Sequence, residues 1–254
     1  MQNNKKVVFV TGGAMGIGRA VCERLSVGEA IVMVADKDVK AAAETAHAIC
    51  AAGHEAHALE IDLADHGSIS SAFSQVEERF GRCDILVNNA GIAKTYPFLE
   101  FPLDNWALTM QINVTGAMLC SQHAARMMVK RKWGRIVSIA SVAGMRAVGS
   151  GRTAYGVSKA AVIGLTRQMA AELAEHGVTA NAVAPGPVDT PMTKVLHSPD
   201  FRTQYTKAIP ANRYGLTSEI ASAVAYLASD EAGYINGTTV PVDGGFMATG
   251  ARGV

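Results

Sequence analysis

Short apolar runs alternate with longer amphipathic stretches along the chain. The runs KVVFV, AIVMVAD, AHALEID, DILVNN, GRIVSIAS, VTANAVAPG and TTVPVDGG are rich in β-branched residues and have the length of strands. Between them the pattern predicts helices over about Gly16–Ser26, Lys40–Ala52, Ser68–Phe80, Trp106–Lys130, Tyr155–His176 and Ser218–Ser229. Strands without a polar face, each followed by a helix, read as βαβ units in a parallel sheet covered on both sides. Right-handed crossovers then distribute the helices over both faces. The alternation runs from residue 6 to about 242 with no linker, low-complexity stretch or internal repeat. One α/β domain over 1–254 is therefore expected, a doubly wound parallel sheet of about seven strands.

One stretch interrupts the alternation. From about Val188 to Asn212 the chain is mostly polar and carries Pro191, Pro199 and Pro210. It follows a strand end, where open α/β sheets bind ligands, so a substrate lid at 188–212 is expected.

Composition changes little in this picture. Hydrophobic residues make up 49% and charged residues 18%, enough apolar material for a large core. The net charge of +1 gives no bulk footprint for nucleic acid. No apolar run reaches the roughly 18 residues of a membrane span. Cys22, Cys50, Cys83 and Cys120 have no metal-ligand spacing and stand beside no histidine, so reduced thiols are expected. The seven histidines show no HxxxH pair, and no catalytic metal is expected. A soluble cytoplasmic protein is the default.

The chemistry starts after the first strand. VVFVTGGAMGIGRAV reads strand, glycine turn, helix. Gly12, Gly16 and Gly18 supply a tight turn, close backbone approach and close helix packing, with the spacing TGxxxGxG rather than GxGxxG. The helix N-terminus would then face a pyrophosphate with its free N–H groups and the positive end of its dipole. This is the Rossmann-type arrangement. Asp36 ends the next strand, at the separation expected for an acid that bonds the adenosine ribose. A carboxylate there opposes a 2′-phosphate, so NAD is expected over NADP; Lys37, next along, would tolerate one. Asp62 ends the third strand, where it could accept the adenine amino group or cap a turn. NNAG, Asn88–Gly91, ends the fourth, with small residues that let the chain pass close to a flat ligand.

TGGAMGIG, NNAG, Ser141 ahead of YGVSK, and PGPVDT occur in order at fitting separations. With them the chain resembles the short-chain dehydrogenase/reductase family over essentially its whole length. The resemblance implies a catalytic set of Asn113 in QINVTG, Ser141 in SIASVAG, Tyr155 and Lys159. Ser138 competes for the serine's place, but the family motif puts its serine just past the strand, before the small-residue turn that SVAG matches. The gap from Ser141 to Tyr155 is one residue longer than the common family spacing, and the loop GMRAVGSGR has to absorb it. The implied cofactor contacts are Gly12, Met15, Gly16, Ile17 and Gly18 at the pyrophosphate, then Asp36, Asp62 and Leu63 toward the adenosine. Asn89, Ala90 and Gly91 follow, with Tyr155 and Lys159 at the nicotinamide ribose. Pro185, Gly186 and Val188 would meet the nicotinamide, and Thr190 its carboxamide or a phosphate.

The chemistry agrees with these roles. Oxidising an alcohol removes its hydroxyl proton while hydride leaves carbon, and the base works best near the operating pH. A free tyrosine titrates near about 10. A lysine one helical turn away favours the phenolate, and a positive nicotinamide adds to the effect. Ser141 would hold the substrate oxygen beside Tyr155. Asn113 would hold a water that relays protons to Lys159.

For the substrate, the sequence offers Ser141, Tyr155, Pro187, the segment Lys94, Thr95 and Tyr96, and the loop Gly144–Thr153. Arg146 and Arg152 are unusual there; one could face a polyhydroxyl or anionic substrate, and solvent is the alternative. The main reading is NAD-dependent hydride transfer on a secondary alcohol or ketone, as in a sugar, polyol or hydroxy acid. The alternative is a 3-oxoacyl-[acyl-carrier-protein] reductase using NADPH. The segment EIASAVAYLASDEAGYINGTTVPVDGG looks similar to those enzymes, which dock an acidic carrier on basic residues. The basic run Arg126–Arg135 could serve, or could simply complement a helix dipole; His176 stands where such reductases often carry arginine. A non-catalytic dinucleotide sensor is a third reading, opposed by the intact catalytic set. The resemblance also implies a homotetramer, with a dimer as the alternative and GLTRQMAAELA as a candidate contact segment; the glycine and methionine content of the tail GGFMATGARGV makes it a second candidate.

Overall fold

A computed structural model describes residues 5–249. Seven parallel strands form one sheet in the order β3-β2-β1-β4-β5-β6-β7. They are β1 (Lys6–Thr11), β2 (Ala30–Asp36), β3 (Glu55–Glu60), β4 (Ile85–Asn88), β5 (Gly134–Ile139), β6 (Val178–Pro185) and β7 (Thr239–Val242). Each expected strand is present. Helices α1 (Gly16–Ser26), α2 (Val39–Ala51), α3 (His66–Phe80), α4 (Leu103–Met110), α5 (Ala117–Arg131) and α6 (Thr153–Leu173) follow in order. Then come α7 (Pro191–Leu196), α8 (Pro199–Ala208) and α9 (Thr217–Leu227).

Alternate residues of each strand fill two apolar layers. Phe9, Met33, Leu86 and Ile136 face α3 and α5, meeting Ile69, Phe73, Cys120 and Met128. Phe9 and Phe73 stack with centroids 4.4 Å apart. Val8, Val10, Val32, Val34 and Val137 face the other way, onto Val21, Ile49, Ile220 and Val224 of α1, α2 and α9. A strand buried on both faces has no polar side, which is why these runs are continuous rather than alternating.

The strand order reverses between β1 and β4, paired through Val8 and Ile85. Chain leaving β1 turns one way and chain leaving β4 the other, so a crevice opens beyond their carboxyl ends. The glycine loop and NNAG lie there.

Two expectations change. The helix expected over Trp106–Lys130 is α4 and α5 joined by a π-helical turn, Gln111–Gly116. Tertiary bonds shape that turn: Asn113 Oδ1 accepts from the Ile92 N–H, and its Nδ2 donates to Ile92 O and Ser158 Oγ. The segment 188–212 is not an irregular excursion but carries α7 and α8. Pro191 and Pro199 begin these helices behind the N-caps Thr190 and Ser198, whose hydroxyls accept from Thr193 N and Phe201 N. Proline at the first helical position has no N–H to leave unbonded, so it starts a helix there rather than breaking one.

Candidate active site

A long groove follows the crevice, a cavity of about 390 Å³. At one end stands the N-terminus of α1. Met15 caps it with no side-chain hydrogen bond, and the first turn carries no acid. Its N–H groups are therefore left for an anion. The glycine loop fits under it by close approach. A Cβ on Gly18 would lie 2.0 Å from Gly12 O, and one on Gly12 would lie 2.9 Å from Ala90 Cα. Gly12 also has φ +64°, a left-handed conformation that glycine adopts without strain. Asn89 serves the loop rather than projecting from it: its Nδ2 donates to Thr11 O and Gly12 O.

The carboxylate of Asp36 accepts from the backbone N–H groups of Ala14 and Asp38, both at 3.1 Å, and lines the groove. Lys37 reaches Asp62 at 2.6 Å, and the other Asp62 oxygen accepts from Ala64 N. Asp62 therefore sits in the groove already bonded, its carboxyl held below the usual range by Lys37. Met15, Gly16, Ile17, Leu63, Ala90, Gly91, Pro185, Gly186 and Val188 line the same groove. Thr190 lines it too, with its hydroxyl committed to capping α7. Uncapped N–H groups, a glycine loop packed close against the end of β4, and the crevice together fit a nicotinamide dinucleotide.

At the far end the expected catalytic residues come together. Ser138 lies inside β5, 1% exposed and beside Asn88; Ser141 lies beyond the strand and lines the groove. Ser141 and Tyr155 line the same walls, and the Ser141 hydroxyl, which accepts from the Ala143 N–H, acts to lower the Tyr155 pKa. One turn further along α6, the Lys159 ammonium sits 5.7 Å from the Tyr155 ring centroid and donates to Ile139 O at 2.7 Å. Asn113 closes the site over Gly91, where a Cβ would lie 3.2 Å from Asn113 Oδ1 and 3.5 Å from Lys159 Nζ. The loop between Ser141 and Tyr155 turns through two left-handed glycines, Gly149 (φ +69°) and Gly151 (φ +74°).

Burial sets the titration of this pair. It pushes the Tyr155 phenol above its ordinary value, against the Ser141 hydroxyl and the charge of Arg152. It pulls Lys159 down to about 8. The Arg152 charge also favours the phenolate, in addition to the Lys159 ammonium one helical turn away.

A second chamber, about 100 Å³, adjoins Ser141 and Tyr155. Pro187, Arg152, Lys94 and Thr95 line it as expected. Tyr96 instead packs edge-on against Phe101, and its N–H donates to Gly151 O. Arg146 is exposed over the Phe246 ring. Met192, Thr193, His197 and Tyr205 complete the wall from α7 and α8. The sequence reading missed these four. Phe201 and Tyr205, spaced four apart, were the available signal for an α8 turned inward.

A family model described as enoyl-(acyl carrier protein) reductase matches residues 12–247. A short-chain type dehydrogenase/reductase from Mycobacterium marinum superimposes with a TM-score of 0.92 at 32% identity, covering 98% of both chains. The chain belongs to the short-chain dehydrogenase/reductase family. It is an oxidoreductase of that family, built for a nicotinamide dinucleotide. Other short-chain dehydrogenases/reductases point in two directions on substrate. The 3-oxoacyl-[acyl-carrier-protein] reductase of Aquifex aeolicus is 40% identical over 95% of this chain and 97% of its own length. A gluconate 5-dehydrogenase from Burkholderia cenocepacia, solved with NADP and tartrate, is 32% identical, with a TM-score of 0.92 over 98% of this chain and 97% of that one. Among the described residues no helix is long and apolar enough to cross a membrane, and no cluster of His, Cys, Asp or Glu could hold a metal.

Proposed function

We propose that the protein interconverts a short 3-oxoacyl compound and its 3-hydroxy counterpart, with Tyr155 handling the proton. The observation that carries this reading is the wall of the substrate chamber. Val142, Ala143, Val148, Pro187 and Met192 give it apolar surface beside Ser141 and Tyr155, and its other polar side chains, Lys94, Thr95, Arg152, Thr193, His197 and Tyr205, include no Asp, Glu, Asn or Gln. A polyol needs a hydrogen-bonding partner for each buried hydroxyl, whereas a short acyl chain needs apolar surface. The 3-oxoacyl-carrier reductases among the relatives support the same reading over sugar or polyol oxidation.

A bound nicotinamide would supply or accept the hydride. In the reductive direction Tyr155 gives its phenolic proton to the carbonyl oxygen. Ser141 holds that oxygen, and the ammonium of Lys159 supports the phenolate left behind. Asn113 keeps the backbone of Ile92 in place beside Lys159.

Carrier docking draws no support from the basic run. Arg131 reaches Asp84, whose carboxylate accepts from Val7 N at the start of β1, so the run lies at the end of the sheet opposite the site. Lys130 pairs with Glu77, and Arg135 is buried over Trp133. The reading therefore stops at the acyl group. A second reading, oxidation of a polyhydroxy acid, is favoured by the gluconate dehydrogenase likeness and by the cations Arg152 and Lys94 in the chamber.

For the cofactor we propose NAD(H). Asp36 lines the groove at the end of β2, where its carboxylate would oppose a 2′-phosphate, and the charge of Lys37 is answered by Asp62 at 2.6 Å. The NADP in the Burkholderia structure marks the competing choice. A panel of acetoacetate and acetoacetyl thioester with NADH or NADPH, against gluconate and sorbitol with NAD or NADP, tests both points. Faster turnover of 3-oxo compounds with NADH is expected; preferential oxidation of sorbitol would overturn the substrate reading, and preference for NADPH the cofactor one.

A further inference from the structure

We propose that the substrate enters as a free carboxylate, and that Arg152, positioned by His197, is the residue that receives it. This rests on the 3-oxo/3-hydroxy reading for the reacting carbon, and adds what stands at the other end of the molecule.

Arg152 is half-buried in the chamber that Ser141 and Tyr155 share. Among the described residues, no carboxylate lies within ion-pair distance of it. That is unusual in this neighbourhood: Arg202 is paired with Asp189, and Arg213 with Glu219. Arg152 instead meets an imidazole. Its Nη2 lies 2.8 Å from His197 Nε2, and its guanidinium lies 5.8 Å from the centre of the Phe201 ring. A guanidinium only donates, so Nε2 must accept and the His197 proton must sit on Nδ1. From there it donates to Tyr214 Oη at 3.1 Å. His197 is thereby a neutral clamp. It fixes the fork of Arg152 and leaves the positive charge unanswered. Burial, with the charges of Arg152 and Arg202, pulls His197 down to about 4 and so keeps it neutral at ordinary pH.

Lys94 is a second cation on the chamber wall, and no acid lines it. An unanswered, partly desolvated charge costs stability until an anion meets it. The planar fork of arginine matches the two oxygens of a carboxylate. The small chamber restricts the ligand to a short acid. A thioester at the same position carries no charge to meet Arg152.

The test compares acetoacetate with methyl acetoacetate as substrates, in the wild type and in Arg152→Gln, Arg152→Lys and His197→Phe. The wild type should show a KM for acetoacetate about tenfold or more below that for the ester. Arg152→Gln should remove that difference by raising KM for acetoacetate while KM for the ester stays unchanged, any change in kcat being shared by acid and ester. Arg152→Lys should recover part of the difference, and His197→Phe should lose part. Thermal stabilisation by malonate, measured with NADH present, gives a readout independent of turnover. It should occur in the wild type and vanish in Arg152→Gln. Malonate stabilisation that depends on Arg152 without turnover of any 3-oxo compound would leave the anion site standing and remove the reaction reading. Equal KM values for acid and ester with no malonate effect, or identical behaviour of wild type and Arg152→Gln toward both, overturns the anion site and leaves the reaction reading intact.

Discussion

Tyr155 sits where burial opposes its charged form, and two neighbours work against that burial: the Ser141 hydroxyl and the Arg152 guanidinium. Tyr155→Phe should keep dinucleotide binding, seen by quenching of protein fluorescence, and lower kcat by about 10²–10⁴. The role of Arg152 gives a signed pH effect. Oxidation needs the phenol deprotonated, so its rate rises with pH through the Tyr155 pKa. Removing a positive charge raises that pKa, so Arg152→Gln should move the rising limb to higher pH. The profile is measured as kcat/KM with methyl 3-hydroxybutyrate, whose binding does not use the charge. Ser141, Tyr155 and Lys159 were legible because one helical turn and one strand end fix them in sequence. His197 was not. It reaches the chamber through the packing of α7 and α8, and no spacing in the sequence records that its ring nitrogens meet Arg152 and Tyr214.

At the scale of elements, the strands and most helices follow from periodicity, since each is defined by burial on the sheet. The joins were harder. The π-helical turn exists because Asn113 bonds the Ile92 backbone, a partner in another segment. Pro191 and Pro199 of the lid were read as interruptions, although the threonine or serine directly before each is a helix-start signal. The glycine loop gives the sharpest test of an element. A Cβ at residue 18 would overlap Gly12 O, so Gly18→Ala must push α1 away from β1. We expect a loss of about 1–3 kcal/mol of stability in urea, and a larger fractional loss of NADH affinity than in Gly28→Ala, where a Cβ meets nothing within 4 Å. Equal NADH affinity in the two variants would contradict the close-approach account.

For the whole molecule, the switch between β1 and β4 decides where chemistry can occur, and it places the basic run at the other end. The association state is a separate expectation. Phe98, Leu99 and Leu103 are 74%, 94% and 82% exposed on one short segment, an apolar surface of the kind that marks a contact between proteins. A homotetramer is expected, with a mass by light scattering near four subunits; the mass of one subunit would contradict it. Of the tail proposed for such a contact, Phe246 packs on Tyr205 of its own chain, and residues 250–254 lie outside the described residues. The central claim is hydride transfer to a 3-oxo carbon with Tyr155 supplying the proton. Its most direct test is reduction of acetoacetate by NADH deuterated at the transferring carbon, followed by mass spectrometry of the product. The account predicts one deuterium at C3 in the wild type and almost no product from Tyr155→Phe. Product without deuterium, or equal product from the variant, would contradict it.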